Sequence, residues 1–199
     1  MRIIDESEVK RIIIEPGELY VTKGDAVLST LLGSCVAVCL YDPIRRVAGM
    51  NHFLLSSRRY AKDVPLCRTE AGRYGVHSME LLINKMMEMG ADRRSFKAKA
   101  FGGGSILPKT DNGENFHCVG DVNNRFIREF LDTENIPLVA EELGGSRGRV
   151  IYFKPHEYSV YVRPIHTARS AEVALRDRQW WKESIQQQER SVLKVDTWD

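Results

Sequence analysis

Short apolar runs separated by turn residues fill the first part of the chain. Arg11 to Glu15 and Glu18 to Thr22 read as strands broken by Pro16-Gly17, and Lys23-Gly24-Asp25 turns into a third run, Ala26 to Thr30. Val36 to Tyr41 and Val47 to Leu55 follow as β-rich runs around Asp42-Pro43, the pattern of a hairpin. After a polar stretch from Ser56 to Arg73, the period changes. Met79, Leu82, Ile83, Met86 and Met87 recur at helical spacing within Tyr74 to Met89, and Gly90 stops the helix.

Phe96 to Phe101 alternates as a strand that runs into Gly102-Gly103-Gly104-Ser105 and the loop Pro108 to Glu114. Asp121 to Thr133 carries Val122, Phe126, Ile127, Phe130 and Leu131 on one helical face, and three further strands are expected at Leu138 to Glu142, Val150 to Lys154 and Tyr158 to Arg163. The order predicts an α+β layered sandwich, a mostly antiparallel or mixed β core flanked by two or three helices. Beyond Pro164 the text becomes charged, Gln-rich and helix-prone, with Trp180 and Trp181 its large aromatics from Ala168 to Arg190. The division expected is a domain over 1–167 and a helical tail over 168–199, either docked through its tryptophans or frayed.

Composition narrows the function classes. At 199 residues with 43% hydrophobic residues the chain can bury a real core, and its net charge of +2 does not point to nucleic acid. No apolar run approaches a membrane span, and Met1-Arg2-Ile3-Ile4-Asp5 lacks a signal-peptide core, so a cytoplasmic protein without membrane insertion is expected. Cys35, Cys39, Cys67 and Cys118 show no C-x-x-C spacing and read as free thiols. Without a close ligand pair, no metal or other cofactor is expected. Gly102-Gly103-Gly104 lacks the spacing to Lys109-Thr110 of a phosphate loop and reads as tight packing instead.

The candidate chemistry lies in the hairpin. A thiol is a strong nucleophile only as thiolate, and an adjacent imidazole is the commonest means of producing one. With Asp42, Pro43, Ile44 and Arg45 as a four-residue loop, Tyr41 faces Arg46 and Cys35 falls opposite His52, with β-carbons about 4.5 to 5.5 Å apart. A two-residue loop would instead place Ala37 opposite His52 and make the pair diagonal. Cys39 lies in an apolar setting without a base. A buried Cys beside a hydrogen-bonded His explains the Cys35 and His52 spacing as well as catalysis does, although Gly33 just before Ser34-Cys35 permits close approach of a carbonyl and an oxyanion at nearby N–H groups.

The blocks Leu32-Gly33-Ser34-Cys35-Val36-Ala37-Val38-Cys39-Leu40-Tyr41-Asp42-Pro43 and Gly49-Met50-Asn51-His52-Phe53-Leu54-Leu55 resemble the chemoreceptor glutamine deamidases of the CheD family. So do Gly102 to Ser105 and Glu142-Leu143-Gly144-Gly145-Ser146-Arg147-Gly148-Arg149, and the likeness runs from about residue 10 to residue 163. The resemblance implies that Cys35 is the nucleophile and His52 the base. It implies a third catalytic residue six positions before the Cys, where the family has Thr and this chain has Ser29, with Thr30 next to it. Ser29 is the expected orienter of the imidazole, since alternation is expected to turn Thr30 to the other face.

The implied reaction converts receptor glutamines to glutamate through a Cys thioester. The implied partners are a chemoreceptor cytoplasmic domain and a CheC-type phosphatase. A non-catalytic adaptor for such a phosphatase, or a Cys hydrolase of esters or small amides, are the rival readings. Arg58, Arg59, Lys62 and Arg68 form either a basic rim for an acidic receptor surface or a solvated loop, and Arg147 and Arg149 carry the same ambiguity. His77, His117, His156 and His166 read as surface or capping residues.

Overall fold

The computed structural model describes residues 1–6, 9–55, 69–105 and 119–192. The possible basic rim, Cys67, Cys118, His117 and the Pro108 to Glu114 loop lie outside the described residues. In chain order the strands are β1 (Arg2–Glu6), β2 (Val9–Ile13), β3 (Leu19–Thr22), β4 (Val27–Leu32), β5 (Val36–Asp42) and β6 (Val47–Phe53). Then come α1 (Glu70–Glu88), β7 (Lys97–Gly102), α2 (Val119–Thr133), β8 (Leu138–Leu143), β9 (Arg149–Lys154), β10 (Ser159–Pro164) and α3 (Thr167–Val192).

Two mixed sheets result, one ordered β1-β2-β4-β9-β10 and the other β3-β6-β5-β7-β8. This is the α+β layered arrangement that the hydrophobic pattern predicts. The side chains of β5 and β6 alternate between two apolar layers, and every residue of both strands is buried. Val36, Val38 and Leu40 face α1 and α2 in a core with Met79, Leu82, Phe126 and Phe130. Cys35, Ala37 and Cys39 face the other way, joining Ile12, Leu28, Leu32, Met50, Ile151 and Phe153 between the two sheets.

Helix α1 starts earlier than its apolar spacing predicts because Thr69 caps it, its side chain accepting the Gly72 N–H at 3.0 Å. Gly90, with φ of 90°, follows its end. Met87 is the one residue of the predicted apolar set that faces solvent, at 45% exposure. Helix α3 docks on its own domain: Trp181 enters the layer between the sheets, and Trp180 stands 6.3 Å from the Tyr74 ring.

The hairpin turn sits one residue later than expected, which moves every cross-strand pairing by two residues and leaves each side chain on its expected face. Asp42 pairs with Val47 and Ala37 with His52, so the four-residue loop is Pro43 to Arg46 rather than Asp42 to Arg45. The Asp42 carboxylate explains the shift. It accepts the Ile44 and Arg45 N–H groups at 2.8 and 3.0 Å, so the residue that caps the turn also ends the strand. Arg46 closes the loop with φ of 55°.

Candidate active site

Cys35 and His52 are consequently diagonal rather than directly opposite, a separation of about 7 to 8 Å, and His52 Nε2 makes no hydrogen bond to the thiol. Both sit on the face of β5 and β6 that looks into the layer between the sheets, and both are fully buried. His52 is fixed at its backbone by the connection after β2. Its N–H donates to the Glu18 carbonyl at 3.0 Å, and its own carbonyl accepts the Gly17 N–H at 2.8 Å.

Thr30, not Ser29, meets the ring. On β4, Leu28, Thr30 and Leu32 point inward, which turns Ser29 to the outer face of its sheet, where its hydroxyl accepts from Arg11 Nε at 3.0 Å. The alternation expected from the sequence is present, with the opposite residue facing in. Thr30 Oγ1 lies 2.8 Å from His52 Nδ1 and donates its single proton to the Ile14 carbonyl at 2.6 Å. The hydroxyl can therefore only accept from the ring, which makes Nδ1 the protonated nitrogen. Nε2 keeps the lone pair and has no hydrogen-bond partner among the described residues. Burial holds the ring neutral by pushing its pKa down to about 3.

The loop from Gly33 to Cys35 is held from behind. The carbonyls of Gly33 and Cys35 accept from the Gly104 and Gly103 N–H groups, both at 2.7 Å, and the Ser34 carbonyl accepts from Asn123 Nδ2 at 2.7 Å. Contact this close explains the glycine segment. A Cβ at Gly102, where φ is 111°, would lie 2.1 Å from the Cys35 oxygen, and one at Gly103 would lie 1.7 Å from Asn124 Oδ1. The block after β8 braces the same segment: the Gly144 N–H donates to the Gly102 carbonyl and the Ser105 N–H to the Gly145 carbonyl, each at 2.8 Å. Arg149 is a buried clamp on the Glu142 and Gly144 carbonyls, while Arg147 is exposed.

On its open side the loop meets a residue that no motif pointed to. Asp177 of α3, fully buried, accepts the Ser34 N–H at 3.0 Å and the Ser34 hydroxyl at 3.1 Å through Oδ2. Its carboxylate lies against the Cys35 thiol. Burial, with the Asp177 charge second, pushes that thiol well above the ordinary thiol range. Burial likewise raises Asp177. Cys39, on the same face, is raised by burial alone and has no base beside it. The helical spacing of Val173, Asp177 and Trp181 was the available signal for Asp177, but a charge in a charged tail reads as solvated.

Comparison with known proteins agrees with the family resemblance read from the sequence. A family model described as CheD chemotactic sensory transduction matches residues 58–164. A protein of Geobacter sulfurreducens named "Probable chemoreceptor glutamine deamidase CheD 1" is 57% identical over 185 residues, covering 93% of this chain and 92% of that one. A Shewanella oneidensis protein, "Probable chemoreceptor glutamine deamidase CheD 2", is 48% identical over 170 residues, 85% of this chain and 84% of its own. A stretch of 170 residues within 199 must include residues 30 to 170, so Thr30, Cys35 and His52 lie inside the aligned part. The 185-residue stretch must reach at least residue 185, which takes in the position of Asp177. A solved structure titled "Crystal structure of Bacillus licheniformis hypothetical protein YfiH" aligns with 16% identity and a TM-score of 0.35 over 64% of this chain and 49% of that one, too distant a likeness to bear on fold or chemistry.

Proposed function

The chain belongs to the CheD family, and from that premise we propose that it is a protein-glutamine deamidase acting on chemoreceptors, with Cys35 as nucleophile, His52 as base and Thr30 as the residue that orients the base. The observation that carries this reading is the locked imidazole. Thr30 spends its only proton on the Ile14 carbonyl, so the ring keeps its proton at Nδ1 and faces the nucleophile's side of the layer with an unpartnered Nε2.

When the glutamine carboxamide enters, His52 Nε2 takes the thiol proton as Cys35 Sγ bonds to the carboxamide carbon. The tetrahedral adduct collapses with cleavage of the C–N bond, and the imidazolium returns its proton to the nitrogen, which leaves as ammonia. Water then attacks the thioester, giving a proton to His52 as the new C–O bond forms. The C–S bond breaks, the thiol is regenerated and glutamate remains. Thr30 matters in both halves because the proton has to arrive at and leave from the same ring nitrogen.

The proposed partner is the receptor's cytoplasmic domain and the proposed location the cytoplasm; no described helix is long and apolar enough to cross a membrane. A CheC-type phosphatase is a proposed second partner, on the strength of the family alone. The test is incubation with a purified receptor cytoplasmic fragment followed by peptide mass spectrometry. The wild-type chain is expected to produce the one-dalton gain at glutamines, and Cys35→Ala to produce none. An unchanged receptor, or an equal gain with Cys35→Ala, would overturn the reading.

A further inference from the structure

Helix α3 is the part of the molecule that the deamidase reading leaves unexplained. Its buried face carries Ser170, Val173, Ala174, Asp177 and Trp181, a stripe at helical spacing in which Asp177 is the one acid. Burying a carboxylate is costly unless donors replace its water. Here the Ser34 N–H and hydroxyl, immediately before Cys35, donate to one oxygen, while the other accepts no hydrogen bond among the described residues and has only Arg176 Nη2 at 3.6 Å.

The carbonyls of residues 33 to 35 are all engaged by the glycine segment and Asn123, which fixes the backbone of the loop whose Ser34 N–H meets Asp177. A pair of donors facing a thiol, with a carboxylate seated on them, is the arrangement that a deamidase needs for the oxygen of its reacting carboxamide and for its glutamate product. Asp177 presents that group from within the chain. With α3 docked, Cys35 and His52 have no exposed surface.

We propose that the Ser34 N–H and hydroxyl form the subsite for the reacting carboxamide oxygen, and that Asp177 fills it as an internal product analogue, so that α3 must lift before a receptor segment is deamidated. The proposal rests on the deamidase reading for the subsite's role. The occupancy of the site by α3 stands on its own geometry. Beyond Asp177, the helix is tied down by Trp181 in the layer between the sheets, by Ser170 Oγ accepting the Gly148 N–H at 3.1 Å, and by Arg176 donating to the Leu31 carbonyl at 3.3 Å. A receptor segment that carries a carboxamide on Ser34 replaces the Asp177 contacts one for one. Displacement therefore costs little beyond moving the helix.

The experiment uses the full chain with Asp177→Ala and Asp177→Asn, and follows carbamidomethylation by iodoacetamide at Cys35 and Cys39 separately by peptide mass. Cys39 is equally buried and reports general loosening of the fold. Asp177→Ala is expected to speed labelling of Cys35 about a hundredfold or more, the effect of losing two hydrogen bonds to a charged group, and to leave Cys39 unchanged. Asp177→Asn, which keeps one acceptor, is expected to fall between. Receptor deamidation by Asp177→Ala at limiting receptor should rise in step with Cys35 labelling, whereas Ser34→Ala should lower kcat through loss of one subsite donor.

Equal Cys35 labelling in wild type and variant would overturn the proposal. So would parallel gains at Cys35 and Cys39, or a fall in deamidation by an Asp177→Ala chain that keeps Cys39 protected. Faster Cys35 labelling with no receptor deamidated by any variant would leave the occupancy standing and sink the deamidase reading.

Discussion

The Thr30 hydroxyl decides which nitrogen of His52 can serve as the base, because a hydroxyl has one proton and Thr30 gives it to a carbonyl. Thr30→Ala removes the acceptor that holds Nδ1–H and frees the ring to turn toward the Ile14 carbonyl, which already lies 3.4 Å from Nδ1. The expected result is a fall in kcat of about tenfold to a hundredfold with KM little changed, and substantial recovery in Thr30→Ser. Ser29→Ala, which removes a buried hydroxyl bonded to Arg11 and not to the ring, should leave kcat within about threefold at a fixed folded fraction. Steady-state kinetics on a receptor fragment checks the set. The proposed nucleophile and base, Cys35 and His52, were legible in the sequence as candidates because their motif blocks are specific. The third residue was not, because two adjacent hydroxyl residues occupy opposite faces of β4 and only the neighbouring sheet decides which face is inside.

At the scale of elements, β5, β6, α1 and α2 followed their periodicity, while the hairpin register and the role of the glycine segment needed the structure. Asp42 looked like a loop residue. Its carboxylate accepts three backbone N–H groups, from Ile44, Arg45 and Asp92, which keeps it buried at the end of a strand. The left-handed residue that closes the loop is an Arg, a type that gives no warning of it. The glycines were read as tight packing, and the structure names the surface they pack on as the carbonyl side of the nucleophile loop. Gly102→Ala places a methyl against the Cys35 oxygen at a φ of 111°. It should lower stability by about 2 kcal/mol or more and reduce turnover further than that loss explains, since the loop carrying the thiol must shift. Denaturant unfolding beside kinetics at a fixed folded fraction separates the two effects.

For the whole molecule, burying an uncharged histidine ties folding to pH. The folded pKa of His52 is about 3 against an ordinary 6.5, so between those values the unfolded chain binds a proton that the folded chain does not. Stability is therefore expected to fall as pH drops below 6.5, by at most about 1.4 kcal/mol per unit from this group. Asp177, raised by burial, acts in the opposite sense over a window above the ordinary Asp value. Denaturant midpoints compared at about pH 7 and about pH 5 should differ less in His52→Gln than in wild type. The docking of α3 was the least legible feature at this scale, because a charge-rich helix shows its buried stripe only once the surface beneath it is known.

The connection from Ile14 to Glu18 crosses between the sheets, and its Ile14 carbonyl anchors Thr30 while Gly17 and Glu18 grip the backbone of His52. Thiol and imidazole come from one sheet and the orienting hydroxyl from the other. A molecule in which the sheets have formed but not stacked thus holds all three groups and has no aligned base. Alignment of the proposed base therefore depends on the stacking of the two sheets, and a chain with its sheets apart is expected to leave glutamines unmodified.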